Sequence, residues 1–194
     1  MNKNNKVMPE VLITGAGPAG LMMACRLAQF NVQFRIIDKK KSPSSYSGAM
    51  IVHARTLELF KQMGLAGKMV AQGTKITALN VWFKGRESSR LNLEDKAGNL
   101  SEFPFILMLE QSQTERLLID YLQSKGYQVE WETQLEDFDV SKEPIEAAVT
   151  LPGGTREVVK TDYLIAADGA KSSIRALLEI PFLGKTHDKD LSIM

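Results

Sequence analysis

A glycine-rich turn between a short apolar run and an apolar helix is the feature that most constrains this chain. Residues 11–14 are apolar or β-branched, Gly15, Gly17 and Gly20 follow in a G-x-G-x-x-G pattern, and residues 21–30 predict a helix. In this pattern the first glycine makes the tight turn, the second lets a pyrophosphate approach the backbone, and the third lets helix and strand pack closely. The start of the helix also offers unpaired N–H groups and a positive dipole end to an anion. The pattern predicts dinucleotide binding, with a plain glycine turn of a βαβ unit as the alternative.

An acidic residue at the end of the second apolar run supports the dinucleotide interpretation. The run from Val32 to Ile37 ends at Asp38, which lies 18 residues after Gly20. A carboxylate at about this spacing is typical of hydrogen bonding to an adenosine ribose, and it favours NAD or FAD over NADP. The basic run 39–41 is either a solvated loop or places Lys39 beside the adenosine.

Composition narrows the class of protein. The 194 residues are 44% hydrophobic and 24% charged, as in an ordinary globular protein, and the net charge of +1 provides no field to attract nucleic acid or an anionic membrane. A single cysteine, Cys25, excludes an internal disulfide framework, and its helical surroundings predict a buried side chain. We expect no signal peptide and no integral membrane segment. These observations predict a cytoplasmic protein without a nucleic-acid partner.

The remaining pattern predicts an α/β fold. Helices are expected at residues 53–63, 113–125 and 172–178, and strands at 76–83, 89–93, 105–109, 129–131, 134–140, 145–151, 157–159 and 163–167. Residues 112–115 have the spacing of a capping box, and Gly153-Gly154 is typical of a hairpin turn. The order predicts a Rossmann-like parallel sheet with an inserted antiparallel β meander.

A second signature follows the last predicted strand. Asp168-Gly169 ends that strand, Ser172 is placed to cap the next helix, and Arg175 lies one turn into it. Ligands of open α/β sheets bind at the carboxyl ends of the strands. Taken alone, this segment is either a ligand-binding edge or a capped strand-to-helix turn.

Four blocks, taken in order, resemble the class A flavoprotein monooxygenases, the aromatic hydroxylase family of para-hydroxybenzoate hydroxylase and phenol hydroxylase. They are residues 15–20 with Asp38, residues 47–58, residues 110–115, and Asp168-Gly169 with Ser172 and Arg175. The resemblance implies the family's FAD/NAD(P)-binding fold and FAD as cofactor. The residues it implies for cofactor binding, together with those of the glycine turn, are Gly15, Gly17, Pro18, Ala19, Gly20, Asp38, Lys39, Gly48, Gln111, Leu135, Asp168 and Gly169.

The resemblance also implies an activity. In this family NAD(P)H reduces the bound FAD, and O₂ provides one oxygen atom for a small aromatic substrate, usually a phenol. Gln111 is expected against the cofactor, and Arg175 is expected to pin its loop by hydrogen bonding. Gly48 stands where many members carry Arg or Lys, so its contact is expected through the backbone. No catalytic acid or base and no metal site are expected in this chain.

Length and the missing motif suggest part of an enzyme. Family members are usually much longer, and their later Gly-Asp motif is not found in this sequence. We therefore expect the N-terminal portion, with residues 1–180 as the FAD-binding domain, residues 75–110 as an excursion to the substrate-side sheet, and residues 181–194 as the start of the substrate domain. Uncovered apolar sheet surface makes a homodimer a further expectation. The alternatives are a flavoprotein of this fold that does not oxygenate, such as a reductase or halogenase, and a non-catalytic remnant that binds adenosine weakly.

Four other side chains receive structural interpretations. His53 is expected at the surface or as a helix cap, and His187 lies in a polar segment near residue 194. Trp82 and Trp131 lie on predicted strands and are expected to pack there rather than to contact a flavin.

Overall fold

The computed structural model describes residues 8–43, 50–93, 95 and 100–184. Within these residues the helices are α1 (Pro18–Gln29), α2 (Ala54–Gln62), α3 (Ala66–Gln72), α4 (Gln111–Ser124) and α5 (Ser173–Leu177). The strands are β1 (Val11–Thr14), β2 (Phe34–Asp38), β3 (Ile51–Val52), β4 (Thr74–Ile76), β5 (Ala78–Phe83), β6 (Arg86–Asn92), β7 (Ile106–Met108), β8 (Val129–Trp131), β9 (Gln134–Asp139), β10 (Ile145–Thr150), β11 (Arg156–Thr161) and β12 (Tyr163–Ala166).

A parallel sheet in the order β12-β1-β2-β8 forms the centre of the fold. In register, Leu12 of β1 lies opposite Leu164 of β12 and Arg35 of β2. All four residues of β1 are buried, as expected for a strand covered on both faces. The carboxyl ends of β12, β1 and β2 therefore lie side by side at one edge.

Helix α1 follows β1 and packs against α4. It begins at Pro18, three residues earlier than the apolar pattern predicts, because proline at the first helical position has a suitable φ and needs no N–H partner. Cys25 is fully buried in this packing, with its Sγ 3.5 Å from the Leu118 carbonyl oxygen. Burial raises the pKa of its thiol to about 12, so Cys25 is the inert core residue that the sequence predicts.

The antiparallel meander β9-β10-β11 forms a sheet of its own, inserted along the chain between β8 and β12 of the parallel sheet, as predicted. Gly153 and Gly154 both have positive φ in the turn between β10 and β11. Arg35 of β2 binds Glu130 of β8 at 2.7 Å and Glu157 of β11 at 2.9 Å, so one guanidinium connects the parallel sheet to the meander. The predicted fold class is confirmed.

Between α1 and α4 the chain departs from its prediction. Strand β3 pairs with β7, which also pairs with β4, and neither β3 nor α3 is predicted from the sequence. Gly64 and Gly67 disfavour a helix around α3, so the sequence does not predict one there. The helix forms because burial of Ala66 and Met69 stabilises it through tertiary packing.

The hairpin β5–β6 forms a separate two-stranded ribbon. Its side chains are exposed at almost every position, and Trp82 is 62% exposed. The prediction that Trp82 packs on its sheet is therefore wrong within the described residues. Trp131, in contrast, is half-buried on β8 with the Lys40 ammonium 5.9 Å from its ring centre.

Helix α4 begins at Gln111 rather than Gln113, and the predicted capping box does not form. Glu110 occupies the N-cap position without a side-chain cap. The Ser112 hydroxyl donates to Glu110 Oε2 at 3.2 Å, and Glu115 accepts instead from the Gln111 side chain. In the described part of the chain, no helix combines the length and apolar character needed to cross a bilayer.

Candidate functional site

The glycine turn is as tight as its sequence predicts. Gly15 has a φ of 98°, and a Cβ there would overlap the Ala167 carbonyl oxygen at the end of β12. A Cβ on Gly20 would overlap the Gly15 carbonyl oxygen. Two glycines therefore allow the start of α1 to lie directly against the turn and against the neighbouring strand end.

Gly17 differs because it faces open space. It is the N-cap of α1 without a capping side chain, and a Cβ there would meet no atom within 4 Å. The first intrahelical hydrogen bond runs from Leu21 N–H to the Gly17 carbonyl oxygen at 2.9 Å. The earlier N–H groups of the turn thus have no helical acceptor, which is the arrangement that binds a phosphate.

Asp38 is 7% exposed and holds two loops together. Its Oδ2 accepts from Ala16 N–H at 2.8 Å, and its Oδ1 accepts from Lys40 N–H at 2.8 Å. The Lys40 ammonium lies 3.7 Å from Oδ2. Because each carboxylate oxygen accepts more than one hydrogen bond, Asp38 can shape the glycine turn and still accept from a ribose hydroxyl.

Asp168 follows β12 and binds the start of α5. Its Oδ2 accepts from Ser173 N–H at 2.7 Å and from the Ser173 hydroxyl at 3.1 Å. Partial burial alone would raise the pKa of this carboxyl, but the hydrogen bonds from Ser172, Ser173 and Ile174 outweigh it and lower the pKa below its usual value. Asp168 is therefore held as an anion that fixes the loop beside Gly15.

The two acids and the glycine turn line one cavity of about 280 Å³ at the carboxyl edge of the parallel sheet. Seven of the twelve predicted cofactor-binding residues line it: Gly15, Gly17, Asp38, Lys39, Leu135, Asp168 and Gly169. Pro18, Ala19 and Gly20 form the first turn of α1, next to Gly17. The sequence thus brings residues that are up to 154 positions apart to one site.

Two predicted residues are not placed in this cavity. Gln111 is the first residue of α4, outside the cavity lining, and its contact with the cofactor stays a prediction. Gly48 lies outside the described residues, as does His187. His53 is the exposed N-cap of α2, in agreement with its interpretation.

The helix after Asp168 matches its prediction closely. Ser172 is the N-cap of α5, and its hydroxyl accepts from Arg175 N–H at 3.0 Å. The Arg175 guanidinium donates to the Ala170 carbonyl oxygen at 2.7 Å. The predicted loop-pinning role of Arg175 is confirmed.

Seven further lining residues were not predicted: Thr14, Ile37, Lys40, Thr133, Gln134, Ala167 and Ser173. Thr133 and Gln134 enter because β8 is the parallel neighbour of β2, and Thr133 N–H donates to the Asp38 carbonyl oxygen at 3.1 Å. The rule that ligands bind at carboxyl strand ends would identify them once the strand order is known.

Comparison with known proteins assigns this chain to a family. A family model described as "FAD binding domain" matches residues 8–194. The chain belongs to that family. The cofactor of this FAD-binding domain is FAD, and the resemblance to flavoprotein monooxygenases is confirmed by the relatives.

Two relatives and one solved structure show how far the similarity extends. The 6-methylpretetramide 4-monooxygenase of Streptomyces rimosus is 37% identical over 91% of this chain and 31% of its own length. The pentachlorophenol 4-monooxygenase of Sphingobium chlorophenolicum is 30% identical over 93% of this chain and 34% of its own. The crystal structure of the flavin-dependent monooxygenase PieE with FAD and substrate has a TM-score of 0.81 at 27% identity, covering 92% of this chain and 33% of that one. The chain thus spans about a third of the length of these proteins.

The described residues of the FAD-binding domain fit the AMP half of FAD. The open backbone at Gly17 is suited to the pyrophosphate, since no side chain stands in its way. Asp38 presents its carboxylate to the cavity at the end of β2, and Leu135 of β9 lines the same cavity.

Proposed function

We propose that this chain is the FAD-binding part of a monooxygenase that hydroxylates a small aromatic substrate with NAD(P)H and O₂. The observation that carries the proposal is the juxtaposition of the open Gly17 backbone, Asp38 and Asp168 around one cavity. The relatives and the solved neighbour support the activity, because their names describe monooxygenases that act on aromatic compounds such as pentachlorophenol. The full activity is proposed for the whole protein.

The chain's own residues act by binding and positioning. FAD, when bound, supplies the redox chemistry that takes electrons from NAD(P)H and activates O₂. The N–H groups at the start of α1 hold the pyrophosphate, and Asp38 accepts hydrogen bonds from the ribose while it keeps Ala16 in place. Gln111 contacts the cofactor from α4, and Asp168 fixes the loop that closes the edge. Each of these residues lowers the freedom of the cofactor without exchanging a proton with it.

Organisation and setting complete the proposal. Residues 1–180 form the FAD-binding domain, residues 75–110 extend to a substrate-side sheet, and residues 181–194 begin the substrate domain. Exposed apolar side chains on the β5–β6 ribbon support a homodimer. A single buried cysteine supports a cytoplasmic location.

Equilibrium titration with FAD and with ADP tests the binding site. We expect both ligands to bind, with FAD lost from the isolated chain on desalting, and FMN, which lacks the AMP half, to compete poorly. Asp38→Ala should weaken ADP and FAD by a similar factor of about tenfold or more, because a ribose acceptor and the Ala16 tie are both lost.

Asp162→Ala is the matched control, because this exposed acid lies before β12, at the opposite edge of the parallel sheet. It should leave both affinities unchanged. Equal competition by FMN, or unchanged ADP affinity in Asp38→Ala, would show that the AMP half binds elsewhere. If the isolated chain retained a stoichiometric amount of FAD after desalting, the expectation that it binds FAD weakly would be wrong.

A further inference from the structure

A buried carboxylate in α4 lies outside the nucleotide cavity and is not used by it. Glu115 is 1% exposed, and its Oε1 accepts from Gln111 Nε2 at 2.8 Å. Its Oε2 has no hydrogen-bond partner, and no cation pairs with it within the residues that the structure describes. A carboxylate is costly to bury without compensation, so packing alone does not explain a glutamate here.

The position of the pair relates it to the predicted flavin contacts. Gln111 is the first residue of α4, and Glu115 follows four positions later on the same helix face. Two residues before Gln111, Leu109 N–H donates to the Met50 carbonyl oxygen at 2.8 Å. This bond connects the residues before α4 to the residue before β3, within the block 47–58 that resembles the flavoprotein monooxygenases.

The chemistry of the two side chains fixes the orientation of one of them. Gln111 donates through Nε2 to Glu115 Oε1, so the amino group of its carboxamide faces Glu115. The carbonyl oxygen of that carboxamide is then turned away from Glu115. An apolar residue of similar size would leave the carboxamide without this constraint.

We propose that Glu115 is a positioning residue that orients the Gln111 carboxamide so that its carbonyl oxygen meets a donor on the flavin half of FAD. This inference rests on the proposed function, because it requires that FAD bind with its AMP half in the cavity. Glu115 acts only through Gln111 and does not touch the cofactor. The carboxylate is retained in the core for this alignment, at a cost in stability.

Three variants separate positioning from packing. Glu115→Gln keeps an acceptor for Gln111, Glu115→Leu removes it, and Thr114→Val is the matched control. Thr114 is buried beside Glu115, and its hydroxyl also has no hydrogen-bond partner within the described residues. Each variant is measured for FAD affinity, ADP affinity, the absorption spectrum of bound flavin and the melting temperature.

We expect Glu115→Leu to weaken FAD by about tenfold and to shift the flavin spectrum, with ADP affinity unchanged within about twofold. Glu115→Gln should retain FAD affinity within about threefold, because the acceptor survives. Thr114→Val should match the unaltered chain in all binding measurements. The melting temperature of Glu115→Leu should stay equal or rise, so that loss of FAD affinity cannot reflect unfolding.

The other outcomes identify what has failed. If the unaltered chain binds neither ligand, the proposed function falls, and this inference falls with it. If it binds ADP as tightly as FAD, or if Glu115→Leu weakens ADP as much as FAD, the AMP site stands but positioning by Glu115 is wrong. Should Glu115→Leu not fold, Gln111→Met removes the same hydrogen bond from the other side, and unchanged FAD affinity in that variant overturns the proposal.

Discussion

The carboxyl edge of the parallel sheet and the β5–β6 ribbon follow opposite rules. At the edge, polar groups have defined partners: Asp38 binds two backbone N–H groups, and Asp168 binds the start of α5. In the ribbon, Trp82 and Phe83 are each more than 60% exposed. The conformation of the edge is fixed by hydrogen bonds between described residues. The ribbon, in contrast, carries apolar side chains that no described residue buries.

The difference has a physical origin. An isolated two-stranded hairpin is marginally stable in water, and it gains little from apolar residues that remain exposed. Such residues indicate a surface that contacts another part of the protein or another molecule. At the edge, in contrast, the overlap that a Cβ on Gly15 would cause shows that the residue is needed by the fold itself.

The largest effect is expected from Gly15→Ala. The substitution places a Cβ on the Ala167 carbonyl oxygen at a backbone φ of 98°. We expect a loss of about 3–5 kcal/mol in the free energy of unfolding, from backbone strain and overlap together. Urea unfolding followed by circular dichroism measures it. A loss below 1 kcal/mol would show that the turn relaxes, and the edge would then be less constrained than its geometry implies.

Gly17→Ala is the counterpart within the same turn and should affect binding rather than folding. The Gly17 φ is −82°, and a Cβ there meets no protein atom within 4 Å, so we expect stability to change by less than about 1 kcal/mol. The methyl group would stand where the pyrophosphate approaches, and ADP affinity should fall by about tenfold or more. Unchanged ADP affinity would mean that the phosphates do not lie against Gly17.

Local geometry explains which parts of this site could be predicted from the sequence. Gly15, Gly17 and Asp168 follow strands and Asp38 ends one. Their residue types match what a tight turn, an anion and a ribose require. Strand ends of a parallel sheet meet at one edge, so these residues converge without knowledge of the strand order.

Features that depend on tertiary packing could not be predicted in this way. Thr133 and Gln134 reach the cavity only because β8 lies next to β2. Helix α4 begins at Gln111, two residues before its predicted start. The predicted cap does not form because the Glu115 side chain is buried and accepts a hydrogen bond from Gln111 instead. An apolar pattern also cannot distinguish a covered strand face from the exposed one that carries Trp82.

A smaller effect with a defined pH dependence is expected from Asp168→Asn. Asparagine keeps one acceptor for Ser173 but removes the charge at the start of α5, which should cost about 0.3–1 kcal/mol at pH 7. Because the pKa of Asp168 is lowered in the folded state, its contribution is complete above the unfolded pKa of about 3.9 and is lost as pH falls through the folded value.

Urea unfolding of both proteins between pH 7 and pH 3 checks the sign of this dependence. The stability difference should be constant from pH 7 to about pH 5 and should narrow below about pH 4. A difference that widened in acid would show that Asp168 is protonated more readily in the folded state, contrary to its hydrogen bonds.

The smallest effect on stability is expected in the ribbon. Trp82→Thr combined with Phe83→Thr removes two exposed rings from β5 and replaces them with a β-branched residue that suits a strand. The free energy of unfolding should therefore change by less than about 0.5 kcal/mol. Self-association measured by light scattering should nevertheless decrease, because the proposed homodimer uses this apolar surface. Val158→Thr is the matched control, since Val158 is similarly exposed on β11. A monomeric unaltered chain, or equal self-association in both variants, would show that the ribbon does not mediate contact between copies of this chain.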